Sequence, residues 1–127
     1  MPESDCTFGI IGCAMRVHST LGPGLREKPY ENALYIDLRE NGFQVAQQRS
    51  FPIFYHDQLV GDCIPDLFVN DTVIVDAKSI DSIGENEVAQ MLNYLRIAHR
   101  SLGLILNFKP RSLELRRVVY NSTQPPA

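Results

Sequence analysis

Asp66, Asp76 and Lys78 are the residues whose types and spacing could carry chemistry in this chain. They fall in residues 64–78, which read as two apolar strands joined by an Asn70-Asp71 turn, with β-branched residues on both sides. Strands this apolar belong in the middle of a sheet, covered on both faces. A hairpin brings its outer ends together, so Asp66 comes close to Asp76 and Lys78. Side chains two apart on a strand share a face, so Asp76 and Lys78 point the same way, about 6–7 Å apart along the chain. Two carboxylates and an ammonium are costly to place at the rim of a buried hairpin. A bound divalent cation would account for the cost. Oxygen donors without a cysteine or histidine pair point to Mg²⁺ or Mn²⁺ ahead of zinc. The competing reading of an Asp-x-Lys is a solvated surface pair, which is worth little.

The elements that must position these residues follow from hydrophobic periodicity. Ile10, Ala14, Val17 and Leu21 recur at spacings of four, three and four, which predicts a helix over 8–21, stopped by Gly22-Pro23-Gly24. His18 near its end reads as a packed or capping residue. A second helix is predicted over 29–41, with a Tyr30, Leu34 and Leu38 stripe, Pro29 in the first turn and Gly42 as its C-cap. Glu27 then sits at the helix entrance, where the dipole favours an anion. Residues 43–48 alternate as an edge-like strand. Residues 51–55 form another, kept from pairing on both sides by Pro52. Asp62 is four residues from Asp66, but a bulge expected near Pro65 leaves it out of the site. Ser82-x-x-Glu85 reads as a capping box opening a helix to about residue 100. Val88, Met91, Leu92 and Leu95 form its core stripe, with Gln90 and Tyr94 sharing a face just off it. Residues 102–108 predict a buried strand and 113–119 a last one. The order ααβββαββ implies an α/β sandwich around a mixed sheet.

At 127 residues the chain is expected to form a single domain over 1–127, with 1–7 and 121–127 as flexible tails. No apolar run approaches a membrane span, and the polar, acidic residues 1–5 do not resemble a secretory signal. Cys6, Cys13 and Cys63 lack a C-x-x-C spacing and cannot all pair, which reads as reduced thiols of a cytoplasmic protein. A net charge of −3 gives no overall attraction to nucleic acid, so any such binding needs a local basic patch.

Pro65-Asp66, nine residues, then Asp76-Ala77-Lys78 resembles the signature of the PD-(D/E)XK nuclease superfamily. Residues 21–30, with Gly24, Glu27 and Tyr30 in the named positions, are similar to the hallmark of its GxxExxY branch. The similarity continues through Ala89-Gln90, Tyr94-Leu95, Gly103-Leu104 and Asn107-Phe108, over about residues 8–119. Asp76 stands where that branch more often has Glu, and Pro29 separates Glu27 from Tyr30. The resemblance implies a restriction-endonuclease-like sandwich and a metal-dependent nuclease hydrolysing DNA or RNA, with DNA expected ahead of RNA. Asp66 and Asp76 would then bind the cation, Glu27 directly or through water, and the Ala77 carbonyl would complete the protein's share. Lys78 would stabilise the phosphorane charge or position the attacking water. A Gln-x-x-x-Tyr on the equivalent helix of several such nucleases implies that Gln90 and Tyr94 hold substrate. The second reading, from a different class, is a non-catalytic nucleic-acid-binding or regulatory subunit that keeps the fold. With no separate recognition domain in 127 residues, a homo-oligomer, a larger complex or weak sequence preference is expected.

Overall fold

The computed structural model describes residues 3–121, with side chains from Cys6 onward. Helix α1 (Glu3–Leu21) begins five residues ahead of the stretch predicted from periodicity. Cys6 extends the apolar face one turn upstream of Ile10. Cys6, Thr7, Ile10, Cys13, Ala14 and Val17 are all buried. The segment expected as an N-terminal tail is therefore helical from Glu3 and packed at Cys6 and Thr7. The tail expected at 121–127 lies outside the described residues apart from Asn121. His18 is buried, as expected of a packed histidine, with Nε2 2.9 Å from the Pro110 carbonyl.

Helix α2 (Glu27–Glu40) starts two residues earlier than predicted, which leaves Pro29 in the first turn, where no intrahelical N–H is required of it. Its C-cap is Asn41, not Gly42. Gly42 follows at φ +89°, donating to the Arg39 carbonyl, while Phe43 N–H reaches Leu38 (both 3.1 Å). That pair of bonds is a Schellman motif, which needs its left-handed residue one position beyond the cap.

Strands β1 (Val45–Gln47), β4 (Leu67–Val69), β5 (Val73–Lys78), β6 (Leu102–Asn107) and β7 (Glu114–Val119) form one sheet in the order β1-β4-β5-β6-β7. All neighbours are antiparallel except β5 and β6, which are joined in parallel through helix α3 (Glu85–Ala98). The chain carries five strands before α3 where three were expected; three of them, β1, β4 and β5, join this sheet with the two that follow α3. Strands β2 (Phe51–Tyr55) and β3 (Gln58–Cys63) pair only with each other, as a hairpin outside the sheet. Pro52 on β2 is consistent with that one-sided pairing. The register shift falls between Ile53 and Phe54, not at Pro65.

Alternation on the strands divides the core in two. Leu67, Val69, Val73, Val75, Ala77, Leu102, Leu104 and Leu106 pack against α1 and α2. Phe68, Ile74 and Ile105 pack against α3 through Met91, Leu95 and Ala98. Each fully buried Leu contributes about 1.5–3 kcal/mol from area removed from water. Asn70 (φ 54°) and Asp71 (φ 57°) make the β4–β5 turn, two residue types that tolerate left-handed backbone.

The cap of α3 differs from the predicted Ser82-x-x-Glu85 box. Gly84 is the N-cap, and its N–H donates to the Glu87 carboxylate at 2.7 Å. Glycine has no side chain to reciprocate, so only the glutamate half of the box exists. Ile83 is buried instead of helical, its N–H held by Glu114 Oε1 at 3.1 Å, and this delays the helix start. The helix ends at Ala98, with His99 left-handed at φ 57°.

Gly103 on β6 lets α3 settle onto the sheet, because a Cβ there would fall on the Met91 side chain. Met91 is 1% exposed and packed within the α3-side core, so giving way would disturb that packing. Gly103→Val is expected to destabilise the protein by about 1–3 kcal/mol through overpacking. In urea denaturation, Met91→Ala should recover part of that loss in the double variant, giving a non-additive cycle. Additive losses would show that the two residues do not compete for space.

Candidate active site

Asp66 lies one step beyond the Leu67–Val75 pair in the β4–β5 register, which sets it opposite Asp76. The two carboxylates lock the strands together reciprocally. Asp66 Oδ2 accepts the Ala77 N–H at 2.9 Å, and Asp76 Oδ1 accepts the Asp66 N–H at 3.1 Å. Asp76 has the parity of Ile74 on β5, so it faces the α3 side of the sheet. It is 3% exposed.

Lys78, at the end of the same strand, donates to Gln90 Oε1 on α3 at 2.8 Å. Its Nζ is 3.9 Å from Asp76 Oδ2, an electrostatic contact too long for a hydrogen bond. Gln90 is exposed and Tyr94 half-buried one turn further along α3. The Tyr94 hydroxyl is pushed up to about 12, first by burial and then by the negative charges of Asp76 and Asp66, so it lies within electrostatic reach of the pair. The structure thus brings Asp66, Asp76, Lys78, Gln90 and Tyr94 to one place. Ala77 contributes its N–H to Asp66, while its side chain is buried in the α1–α2 core.

Two carboxylates this close and this dry resist ionising together. Burial pushes Asp66 up to about 7, with the Asp76 charge as the second cause and the Ala77 N–H opposing both. Asp76 is also raised, chiefly by burial, against the Asp66 N–H and the Lys78 charge. Asp66 Oδ1 and Asp76 Oδ2 are the oxygens not engaged with backbone N–H groups. A hard divalent cation fits such a donor set, since it would supply the positive charge that Lys78 alone provides at 3.9 Å. Among the described residues no group of three or more His, Cys, Asp or Glu is gathered closely enough to hold a metal by itself.

Glu27 stands apart from the pair. It is the first residue of α2, exposed on the wall of a groove with Ser79 and Ile80, and its charge still reaches Asp76. Glu31, one turn deeper in α2, was not singled out from sequence, yet it is buried and its charge acts on both Asp66 and Asp76. Its carboxylate accepts from Gln47 Nε2 (2.7 Å), Gln48 Nε2 (2.9 Å) and Lys28 Nζ (3.2 Å). Gln48 also points its amide at Asp66 Oδ1, 3.4 Å away, from a backbone held left-handed at φ 58°. The signal was available: Glu31 is in phase with Leu34 and Leu38, a charged residue on an apolar face. Cys63 likewise lies close enough for Asp76 to raise its thiol, after burial and Asp62; no sequence spacing marks it.

Tyr30 has a structural task. It is fully buried and stacked on Phe108 with ring centroids 4.6 Å apart. Its hydroxyl donates to the Gly22 carbonyl and accepts the Leu25 N–H at 3.1 Å, which ties down the loop ahead of Glu27. Asn107, 0% exposed, holds the other wall. It accepts the Ile80 N–H (3.0 Å) and donates to the Ile80 carbonyl and Glu114 (both 2.9 Å).

The sequence model of the PD-(D/E)XK nuclease superfamily matches residues 4–118. The chain belongs to this superfamily. Its members generally use divalent metals, in keeping with the donor set just described. The fold is similar to that of an alkaline exonuclease from Laribacter hongkongensis, with a TM-score of 0.55 and 15% sequence identity. That similarity covers 74% of this chain but only 55% of the exonuclease, so the superfamily fold here spans about half the exonuclease's length. A comparison with curated proteins finds no match. Among the described residues no helix is long and apolar enough to cross a membrane.

The raised carboxylates have a consequence for the metal-free protein. A carboxyl that titrates higher folded than unfolded makes the folded state bind more protons between the two values, so stability falls as pH rises. For Asp66 that window runs from about 4 to about 7. In EDTA, the wild-type melting temperature should decline across it, and Asp66→Asn should flatten the profile and match or exceed wild type above pH 7. An Asp66→Asn protein that melts well below wild type throughout would show that the carboxylate serves packing.

Proposed function

We propose that this chain is a metal-dependent nuclease of the GxxExxY branch, hydrolysing phosphodiester bonds of DNA or RNA. The observation that carries the reading is the convergence of the interlocked Asp66–Asp76 pair with Lys78 at the open end of β5. The branch assignment is supported by Gly24 at φ +102° and by Tyr30, which together fix the loop that delivers Glu27.

Asp66 and Asp76 would hold Mg²⁺ or Mn²⁺ through Oδ1 and Oδ2 respectively, with the Ala77 carbonyl and Glu27 as further ligands, the latter directly or through water. When bound, the cation would polarise the phosphate and lower the pKa of water. Lys78 presents an ammonium where negative charge builds on the phosphorane oxygens. Its bond to Gln90 holds that ammonium on the α3 side, over the rim of the sheet. Gln90 and Tyr94 face the same rim and would orient the substrate. DNA is the first substrate to test, and Gln48, bonded to Glu31 at 2.9 Å, reaches at 3.4 Å the same Asp66 Oδ1 that would meet the cation.

Purified protein with Mg²⁺ or Mn²⁺, assayed on labelled single- and double-stranded DNA and RNA, linear and circular, tests the reading. Cleavage should appear with metal, vanish in EDTA and be lost in Asp76→Ala. Cleavage that persists in EDTA, or full activity of Asp76→Ala, would refute the assigned site.

Lys78→Ala should lower the rate by about 10²–10³, the usual cost of losing one transition-state stabiliser, while affinity for nucleic acid survives. Gln90→Ala and Tyr94→Phe should weaken substrate binding more than metal binding. Parallel losses of folding and activity in all three variants would assign these residues to structure alone.

A further inference from the structure

A groove of about 560 Å³ opens beside the site, bounded by Gly24, Leu25, Arg26 and Glu27 on one wall and by Ser79, Ile80 and Lys109 on the other. That volume lies within the range of small-ligand clefts, about 300–1,000 Å³, enough for a nucleotide unit. Ser79 directly follows Lys78 in the chain, so the near end of the groove starts one residue from the proposed reacting centre. Its walls are fixed before anything binds. Ser79 Oγ donates to the Leu25 carbonyl at 2.7 Å, Tyr30 holds the Gly22 and Leu25 backbone, and Asn107 pins Ile80.

Both walls carry a cation. Arg26, exposed, makes no side-chain hydrogen bond or ion pair among the described residues. Among the described residues the Lys109 ammonium is held only by Asp81 at 2.7 Å, a pair in which the aspartate is 92% exposed. A surface pair of this kind is worth about 0–1 kcal/mol, little enough for a phosphate to compete for the lysine. Glu27, on the side nearer the carboxylate pair, repels an anion and so biases phosphate toward Arg26 and Lys109.

We infer that this groove holds the nucleic-acid backbone adjoining the scissile phosphate, with Arg26 and Lys109 contacting its phosphates from opposite walls. The inference rests on the nuclease reading. The chain's net charge of −3 makes such a local pair of cations necessary for backbone contact.

The test measures binding of fluorescein-labelled oligo(dT) to metal-loaded Lys78→Ala protein, in which slowed cleavage lets binding be read before the strand is cut, across a salt series. Adding Arg26→Ala and Lys109→Ala together should reduce affinity at least tenfold and flatten the log–log salt slope by about 1.4, some 0.7 per lost contact on a single strand. The melting temperature should not move, because both side chains are exposed. In the otherwise wild-type enzyme the double variant should raise KM while kcat holds. If affinity and slope are unchanged while the wild type still cleaves, the groove assignment falls and the nuclease reading stands. If the wild type neither binds nor cleaves any nucleic acid with metal present, the nuclease reading falls and takes the groove with it.

Discussion

Two carboxylates each accept a backbone N–H at the other's strand end, and the site depends on this reciprocal pairing. Asp66 reaches Ala77 and Asp76 reaches Asp66, so neither side chain can move without releasing a buried donor. An orphaned N–H of this kind costs about 1–3 kcal/mol, enough to hold both side chains in one conformation. The same bonds use one oxygen from each residue and leave the other, Asp66 Oδ1 or Asp76 Oδ2, off the backbone. Rigid placement and chemical availability therefore come from one arrangement. The cost is electrostatic: two negative groups in a dry environment, with both pKa values driven upward.

The sheet's two-sided burial explains why this cost falls where it does. Strands β4 and β5 are covered by α1 and α2 on one face and by α3 on the other, and their interiors are apolar throughout. Polar groups appear only where β5 emerges, at Asp76 and Lys78. There α3 supplies Gln90 and Tyr94, and α2 supplies Glu31 and, further out, Glu27. Gly103 contributes indirectly, since the close seating of α3 on β6 brings Gln90 within 2.8 Å of Lys78.

Loops, too, are held by buried polar anchors. Tyr30 and Phe108 stack across the α1–α2 loop and the end of β6, and Asn107 binds the segment after Lys78 from beneath. Tyr30 thus acts through the backbone of its neighbours. The two walls of the groove come from segments more than fifty residues apart, joined by the Ser79–Leu25 bond.

The sequence alone determined the central elements and the core of the site. Apolar runs at 64–78 and 102–108, and the stripes of Tyr30, Leu34 and Leu38 or Met91 and Leu95, are periodic signals that tertiary packing preserved. Hairpin geometry was enough to bring Asp66 and Asp76 together, because register fixes cross-strand neighbours. Helix ends were less legible: Gly84 replaced Ser82 as the N-cap because the backbone of Ile83 was bound by Glu114, thirty-one residues away. Separation of β2 and β3 from the main sheet was likewise settled by tertiary pairing, which alternation cannot reveal. Glu31 became part of the electrostatic surroundings only when Gln47, Gln48 and Asp66 were folded against it. Local spacing encodes which residues share a face. Which faces meet, and how deeply a charge is buried when they do, is decided by contacts between segments distant in the chain.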